Sequence, residues 1–157
     1  MALVLVCAGG VTLLAQTADP FVGTWKLNLL KSSFPGPAPE RPHVLSFEES
    51  SNGSVVGLFH ELDDLGRRTA VAKIVFRYDG KDYQDSDAIS GTPAQNSLAF
   101  TRVDGHTVDV LHKLNQGTRL FKERRTVSED GQMMTFVLSV TDVGGHTASV
   151  VQVFDRQ

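Results

Sequence analysis

Cysteine is nearly absent from this chain of 157 residues. The single cysteine is Cys7, which lies inside an apolar N-terminal stretch. The rest of the chain therefore has no disulfide and no thiolate chemistry. A lipoprotein signal would place a small residue directly before its cysteine, and Val6 stands there instead. The pattern thus disfavours a lipid anchor at Cys7.

The chain also lacks an excess of basic residues. Lys and Arg number 15 against 18 Asp and Glu, which gives a formal net charge of −3. The densest basic cluster, Lys122–Arg125, contains an acid, Glu123. No basic patch with interleaved aromatic residues is present, so the composition argues against nucleic acid as a partner.

Long hydrophobic runs are limited to one, over residues 2–15. It is shorter than the roughly 20 residues of a membrane span and typical of the apolar region of a secretory signal. Small residues follow at Ala15 and Ala18, although no Lys or Arg precedes the run. We therefore predict a signal peptide over residues 1–18, a single domain over residues 19–157, a secreted or periplasmic location and no stable membrane insertion. An N-terminal strand is the alternative.

The remaining sequence consists of alternating strands and turns, without a helical pattern. Trp25, Leu27 and Leu29 alternate with polar residues, which is the period of a half-buried strand. Residues 31–42 contain four prolines and are predicted to form an extended loop. Pairs such as Asn52-Gly53 favour tight turns between strands.

The number of strands predicts a closed sheet. About nine strands with mostly short links indicate an all-β fold, an antiparallel up-and-down β-barrel of roughly 8–10 strands, because closure removes exposed edges. A flattened sandwich of two sheets is the alternative. The polar stretch Asp82–Gly91 breaks the alternation and is predicted to be a loop.

The segment Phe21–Leu27 carries a family resemblance. Its Gly23-Thr24-Trp25 at the start of the first strand resembles the opening motif of the calycins, the lipocalins and fatty-acid-binding proteins. The Pro-Gly-Pro-x-Pro loop at residues 35–39 is similar to bacterial secreted lipocalin-like domains of unassigned function. The resemblance implies a barrel that holds a small apolar or amphipathic molecule.

The same resemblance implies a structural plug at one end of the barrel. In calycins the motif tryptophan packs under an arginine from a late strand. Here that implies Gly23 and Trp25 with Arg124 or Arg125 as the partner, in preference to Arg156. A guanidinium stacks well on an indole face.

The fatty-acid-binding branch grips the headgroup of its ligand with an Arg-x-Tyr pair near the C-terminus. The corresponding positions here are Gln152 and Phe154. Both headgroup donors are replaced, so the sequence does not predict a fatty acid as the ligand.

Ligand contacts are predicted from the apolar strand faces and from a few polar residues on them. The predicted ligand-binding residues are Phe47, Leu58, Ile74, Phe76, Tyr78, Val108, Val110, His112, Met134, Phe136, Leu138 and Gln152. No catalytic residue, metal or cofactor is predicted. His106 and His112 share one strand but lie about 20 Å apart, too far to bind one ion.

Two other functions stay open at this point. An interaction module with a packed interior would act through the loops Phe34–Pro42 and Asp82–Gly91. A pocket enzyme would depend on His60, His106, His112 and Tyr78, since no recognised catalytic motif occurs. The oligomeric state is not predicted.

Overall fold

The computed structural model of the protein describes residues 18–114, 117, 119–141 and 147–157. Apart from Ala18, the predicted signal peptide lies outside the described residues. Within the described ranges, no helix has the length and apolar character needed to cross a membrane.

Ten antiparallel strands form a closed barrel, in which each strand pairs with its neighbours in sequence and β1 also pairs with β10. This confirms the predicted all-β up-and-down barrel, and the described residues contain no α-helix. The strands are β1 (Gly23–Leu27), β2 (Val44–Glu49), β3 (Val55–Leu62), β4 (Arg68–Phe76), β5 (Asp79–Asp87), β6 (Pro93–Arg102), β7 (Thr107–Leu114), β8 (Arg119–Val127), β9 (Met133–Thr141) and β10 (Thr147–Arg156).

The prediction of a loop over Asp82–Gly91 is wrong for its first part, because Asp82 to Asp87 belong to β5. The pairing of β5 with β6 shifts register twice, between Asp79 and Asp82 and again between Gln84 and Ser86. The first shift places one extra residue on β5 and moves the following side chains to the other face, so the strand shows no continuous alternation.

The connections alternate between the two ends of the barrel, as an up-and-down order requires. The N-terminal segment and the turns after β2, β4, β6 and β8 lie at one end, which we call the closed end. The proline-rich loop lies at the other end. Its first part extends the sheet, because the backbone of Ser33 pairs with that of Val151, while Phe34 packs against the core.

The hydrophobic core fills the closed end. Phe76 and Phe100 stack with ring centroids 3.8 Å apart, and Phe154 packs on Phe136 at 4.8 Å. The buried cluster consists of Phe21, Trp25, Leu27, Phe47, Val55, Phe76, Phe100, Val108, Val110, Val127, Met134, Phe136 and Phe154.

Trp25 lies at the centre of this end and is fully buried. Its indole N–H donates to the Phe21 carbonyl over 2.9 Å, and the Arg156 guanidinium carbon lies 4.2 Å from the ring centroid. The terminal nitrogens of Arg156 also donate to the carbonyls of Val22 (2.9 Å) and Pro20 (2.7 Å). Arg156 thus packs over the indole ring and also donates hydrogen bonds to backbone carbonyls of the segment that crosses the closed end.

The partner of Trp25 is therefore Arg156, and the expectation of Arg124 or Arg125 is corrected. Trp25 and Arg156 are directly opposite each other in the β1–β10 pairing, so both face inward. Arg124 lies on the outer face and pairs with Asp109 over 2.7 Å. Arg125 faces inward but stacks on Phe136, farther from the closed end.

Gly23 is required by this plug, and its replacement gives a first prediction. Its φ of 140° is rarely adopted by other residues, and a Cβ there would overlap a terminal nitrogen of Arg156. Gly23→Ala is expected to lower the free energy of unfolding by about 2–3 kcal/mol in urea titrations. Gly36→Ala is the control, because open space surrounds that position and its φ is ordinary. Equal losses in the two variants would contradict this account.

A cavity with a charged wall inside the barrel

A cavity of about 240 Å³ lies inside the barrel, and Phe47, Phe100 and Phe136 of the core cluster are among its lining residues. It is larger than the roughly 150 Å³ cavity that binds benzene and slightly smaller than the roughly 300 Å³ at which drug-sized pockets begin. It therefore suits a molecule of one or two rings. The lining residues are His43, Leu45, Phe47, Gly57, Leu58, Phe59, Ala72, Lys73, Ile74, Asp85, Leu98, Phe100, Glu123, Arg125, Phe136 and Gln152.

One wall carries a buried ion pair. Glu123 and Arg125 both face inward from β8, since alternate residues of a strand share a face, and their side chains are 7% and 12% exposed. The Arg125 Nε donates to Glu123 Oε1, and the guanidinium lies 4.3 Å from the ring centroid of Phe136. The other oxygen of Glu123 lies 3.1 Å from His112 Nε2.

This arrangement keeps Glu123 ionised although it is buried. Burial acts to raise the pKa of its carboxyl, but the charge of Arg125 and hydrogen bonds from His112 and Arg125 outweigh burial. The pKa falls to about 2. At neutral pH the wall therefore holds a carboxylate and a guanidinium that neutralise each other.

A second carboxyl lines the cavity from β5. Asp85 Oδ1 is buried and has no hydrogen-bond partner among the described residues. Burial raises the pKa of Asp85, partly opposed by its own backbone N–H and by the charge of His112. Because a buried oxygen without a donor is costly, a hydrogen bond to this carboxylate from a molecule in the cavity would be favourable.

His43 borders the cavity from the loop before β2. Its ring lies 4.8 Å from that of Phe59 and 5.5 Å from that of Phe154, between centroids. Burial lowers the pKa of His43, which favours the neutral imidazole. This part of the lining is therefore aromatic and uncharged at neutral pH.

The predicted ligand-binding residues separate into two groups. Five of them line the cavity: Phe47, Leu58, Ile74, Phe136 and Gln152. Leu58 does so from the outer face of the sheet, since it pairs with Ser46 and Lys73, which face outward. The structure does not bring the other residues to the cavity lining. Phe76, Val108, Val110 and Met134 lie in the core cluster, Leu138 lies opposite Glu123 on β9, and His112 is bound to Glu123.

Tyr78 lies at the closed end, away from the cavity lining. The guanidinium carbon of Arg102 is 3.8 Å from its ring centroid, and Arg102 also bonds to Asp19 over 2.6 Å. Burial, then the nearby Asp19 charge, raise the pKa of Tyr78 strongly. Its hydroxyl therefore stays protonated.

The side chains considered for an enzyme do not meet. His60 lies on the outer face, 2.9 Å from the Ser46 hydroxyl, and His106 is exposed in the turn after β6. Tyr78 lies at the closed end, and His112 is bound to Glu123. No group of three His, Cys, Asp or Glu side chains within the described ranges is arranged to hold a metal ion.

Comparisons with known proteins identify the fold. No protein-family model matches the chain, and a search of curated proteins finds no match. Among solved structures, fluorescent protein UnaG in its wild-type form has 15% sequence identity and a TM-score of 0.59, over 88% of this chain and 98% of that chain. A point mutant of UnaG has 12% identity and a TM-score of 0.57, over 88% and 97% of the two chains. The chain therefore shares the barrel fold of these structures, and at these identities the likeness shows the fold alone.

Proposed function

We propose that the protein holds one small apolar or amphipathic molecule inside its barrel. The observation that carries the proposal is the cavity of about 240 Å³, whose walls are mostly apolar apart from a few convergent polar groups. Apolar contact contributes about 25 cal/mol for each Å² removed from water, while the polar groups orient the bound molecule. The calycin-like fold supports the proposal, since small barrels of this kind hold a single ligand.

We further propose that the protein is exported and is related to the bacterial secreted lipocalin-like domains. The apolar stretch at residues 2–15 and the proline-rich loop support this. Asp19 bonds to Arg102, and Phe21 is part of the core. Cleavage before Asp19 would leave these contacts of the barrel intact. N-terminal sequencing of the protein from its host's medium or periplasm tests the proposal, and an intact leader in the cytoplasm would contradict it.

Binding is tested by calorimetric titration with 2-naphthol, a neutral two-ring probe of suitable size. We expect one site per chain, a dissociation constant on the order of 10–100 µM and a negative heat-capacity change from apolar burial. The variant Ala72→Trp, which places a large side chain at the cavity lining, should weaken binding at least about tenfold.

The matched control for that variant is Val75→Trp. Val75 lies on the same strand as Ala72 but is exposed on the outer face. It should bind 2-naphthol like the wild type. No saturable binding to the wild type, or equal binding by both tryptophan variants, would overturn the proposed function.

A further inference from the structure

The two carboxylates that line the cavity differ in their hydrogen-bond partners. Glu123 accepts from Arg125 and His112, so its two oxygens each have a partner. Asp85 lines the same cavity from β5, and its Oδ1 has no donor among the described residues. The unmet requirement in the cavity is therefore for a hydrogen-bond donor.

An anionic ligand is disfavoured by the same arrangement. Arg125, the buried cation of the cavity wall, is already neutralised by Glu123 and held flat on Phe136. A ligand carboxylate beside Arg125 would also lie close to Glu123, and like charges in a poorly solvated space repel strongly. Lys73 also lines the cavity and carries a positive charge, but it is exposed and lies on the outer face of β4, opposite Ser86 of β5.

We propose that the ligand is a one- or two-ring molecule with an N–H or O–H group, and that the carboxylate of Asp85, which lines the cavity, accepts a hydrogen bond from that group. This inference rests on the proposed function and adds the chemical class of the ligand. The rings contact the apolar wall formed by Phe47, Ile74 and Phe100, and the donor faces β5. Specificity follows because an analogue without the donor leaves the buried oxygen unpaired.

Four naphthalene derivatives separate the possibilities at neutral pH. Naphthalene has no donor, 2-naphthol has a neutral donor, 2-naphthylmethylamine has a cationic donor, and 2-naphthoate has an anionic acceptor. We expect both donor-bearing molecules to bind at least about tenfold more tightly than naphthalene, and 2-naphthoate to bind at least about tenfold more weakly than 2-naphthol.

Variants of β5 assign the preference to Asp85. Asp85→Leu should bring the dissociation constants of 2-naphthol and naphthalene within about twofold of each other. Asp85→Asn keeps an acceptor without charge, so it should weaken the amine much more than the naphthol. The control is Asp82→Leu, three residues away, where the exposed aspartate pairs with Lys113 on the outer face. This variant should keep the full preference.

The outcomes distinguish this inference from the proposed function. If all four molecules bind but 2-naphthoate matches or exceeds 2-naphthol, the cavity binds ligands and the inference is overturned. A preference for donors that survives in Asp85→Leu overturns it equally. If none of the four binds, both proposals fail.

Discussion

Trp25→Ala is expected to lower the free energy of unfolding by about 3–5 kcal/mol, the largest effect of any single core truncation in this barrel. The indole is fully buried and packs beneath Arg156. Its removal leaves a cavity and takes away the N–H bond to Phe21. Urea titrations followed by far-UV circular dichroism measure the loss, and Leu30→Ala, at a fully exposed side chain, should change stability by less than about 0.5 kcal/mol.

A milder variant keeps this prediction measurable, because the loss is a large part of the roughly 5–15 kcal/mol typical of a domain. Trp25→Phe retains an aromatic ring but has no N–H, and we expect it to lose about half as much as Trp25→Ala. A double-mutant cycle between Trp25→Phe and Arg156→Lys measures the stacking, with an expected coupling of about 1 kcal/mol. A loss of less than about 1 kcal/mol in Trp25→Ala would contradict the role of the indole as the plug.

The sequence was sufficient to predict which residues of β1 face inward, but not which arginine they meet. Alternation along Trp25 and Leu27 depends on local geometry alone. The position of Arg156 depends on the register in which β10 closes against β1, and closure joins segments from opposite ends of the chain. The preference for Arg124 or Arg125 failed because charge and position in sequence carry no information about that register.

The candidate site was harder to predict than the fold, for two different reasons. Asp85 follows a register shift in β5, so the alternation that would place it inside is interrupted. Glu123 was visible in the sequence, where Phe121, Glu123, Arg125 and Val127 alternate with polar residues. A charged residue at that position favours solvent, since glutamate is rarely buried without a partner. Arg125, two residues away on the same face, supplies that partner.

Truncation of one member of this buried pair is expected to lower the free energy of unfolding nearly as much as Trp25→Ala. Glu123→Ala leaves the guanidinium of Arg125 buried and uncompensated, and should lower the free energy of unfolding by about 3–5 kcal/mol. Replacing both residues with methionine removes both charges at similar volume. The double variant should recover to within about 1–2 kcal/mol of the wild type.

An adjacent pair on the outer face provides the control. Arg124 and Asp109 form an ion pair with two hydrogen bonds, of 2.7 and 2.8 Å, but their side chains are 59% and 46% exposed. Because exposed pairs contribute little, Asp109→Ala should lower the free energy of unfolding by less than about 1 kcal/mol. Losses of similar size in Glu123→Ala and Asp109→Ala would show that burial does not set the strength of the inner pair.

The dependence of stability on pH tests the same pair without truncating it. The carboxyl of Glu123 has its pKa lowered from 4.5 to about 2 in the folded protein, so the folded state holds it ionised more strongly than the unfolded state does. This shift stabilises the folded protein by about 3 kcal/mol above pH 4.5, and the stabilisation is lost as the pH falls from 4.5 towards 2. Urea midpoints between pH 5 and 2 should therefore fall more steeply in the wild type than in the Glu123→Met/Arg125→Met double variant. Parallel slopes in the two proteins would mean that Glu123 takes up its proton at the same pH in the folded and the unfolded state. The ion pair with Arg125 would then not stabilise the folded state.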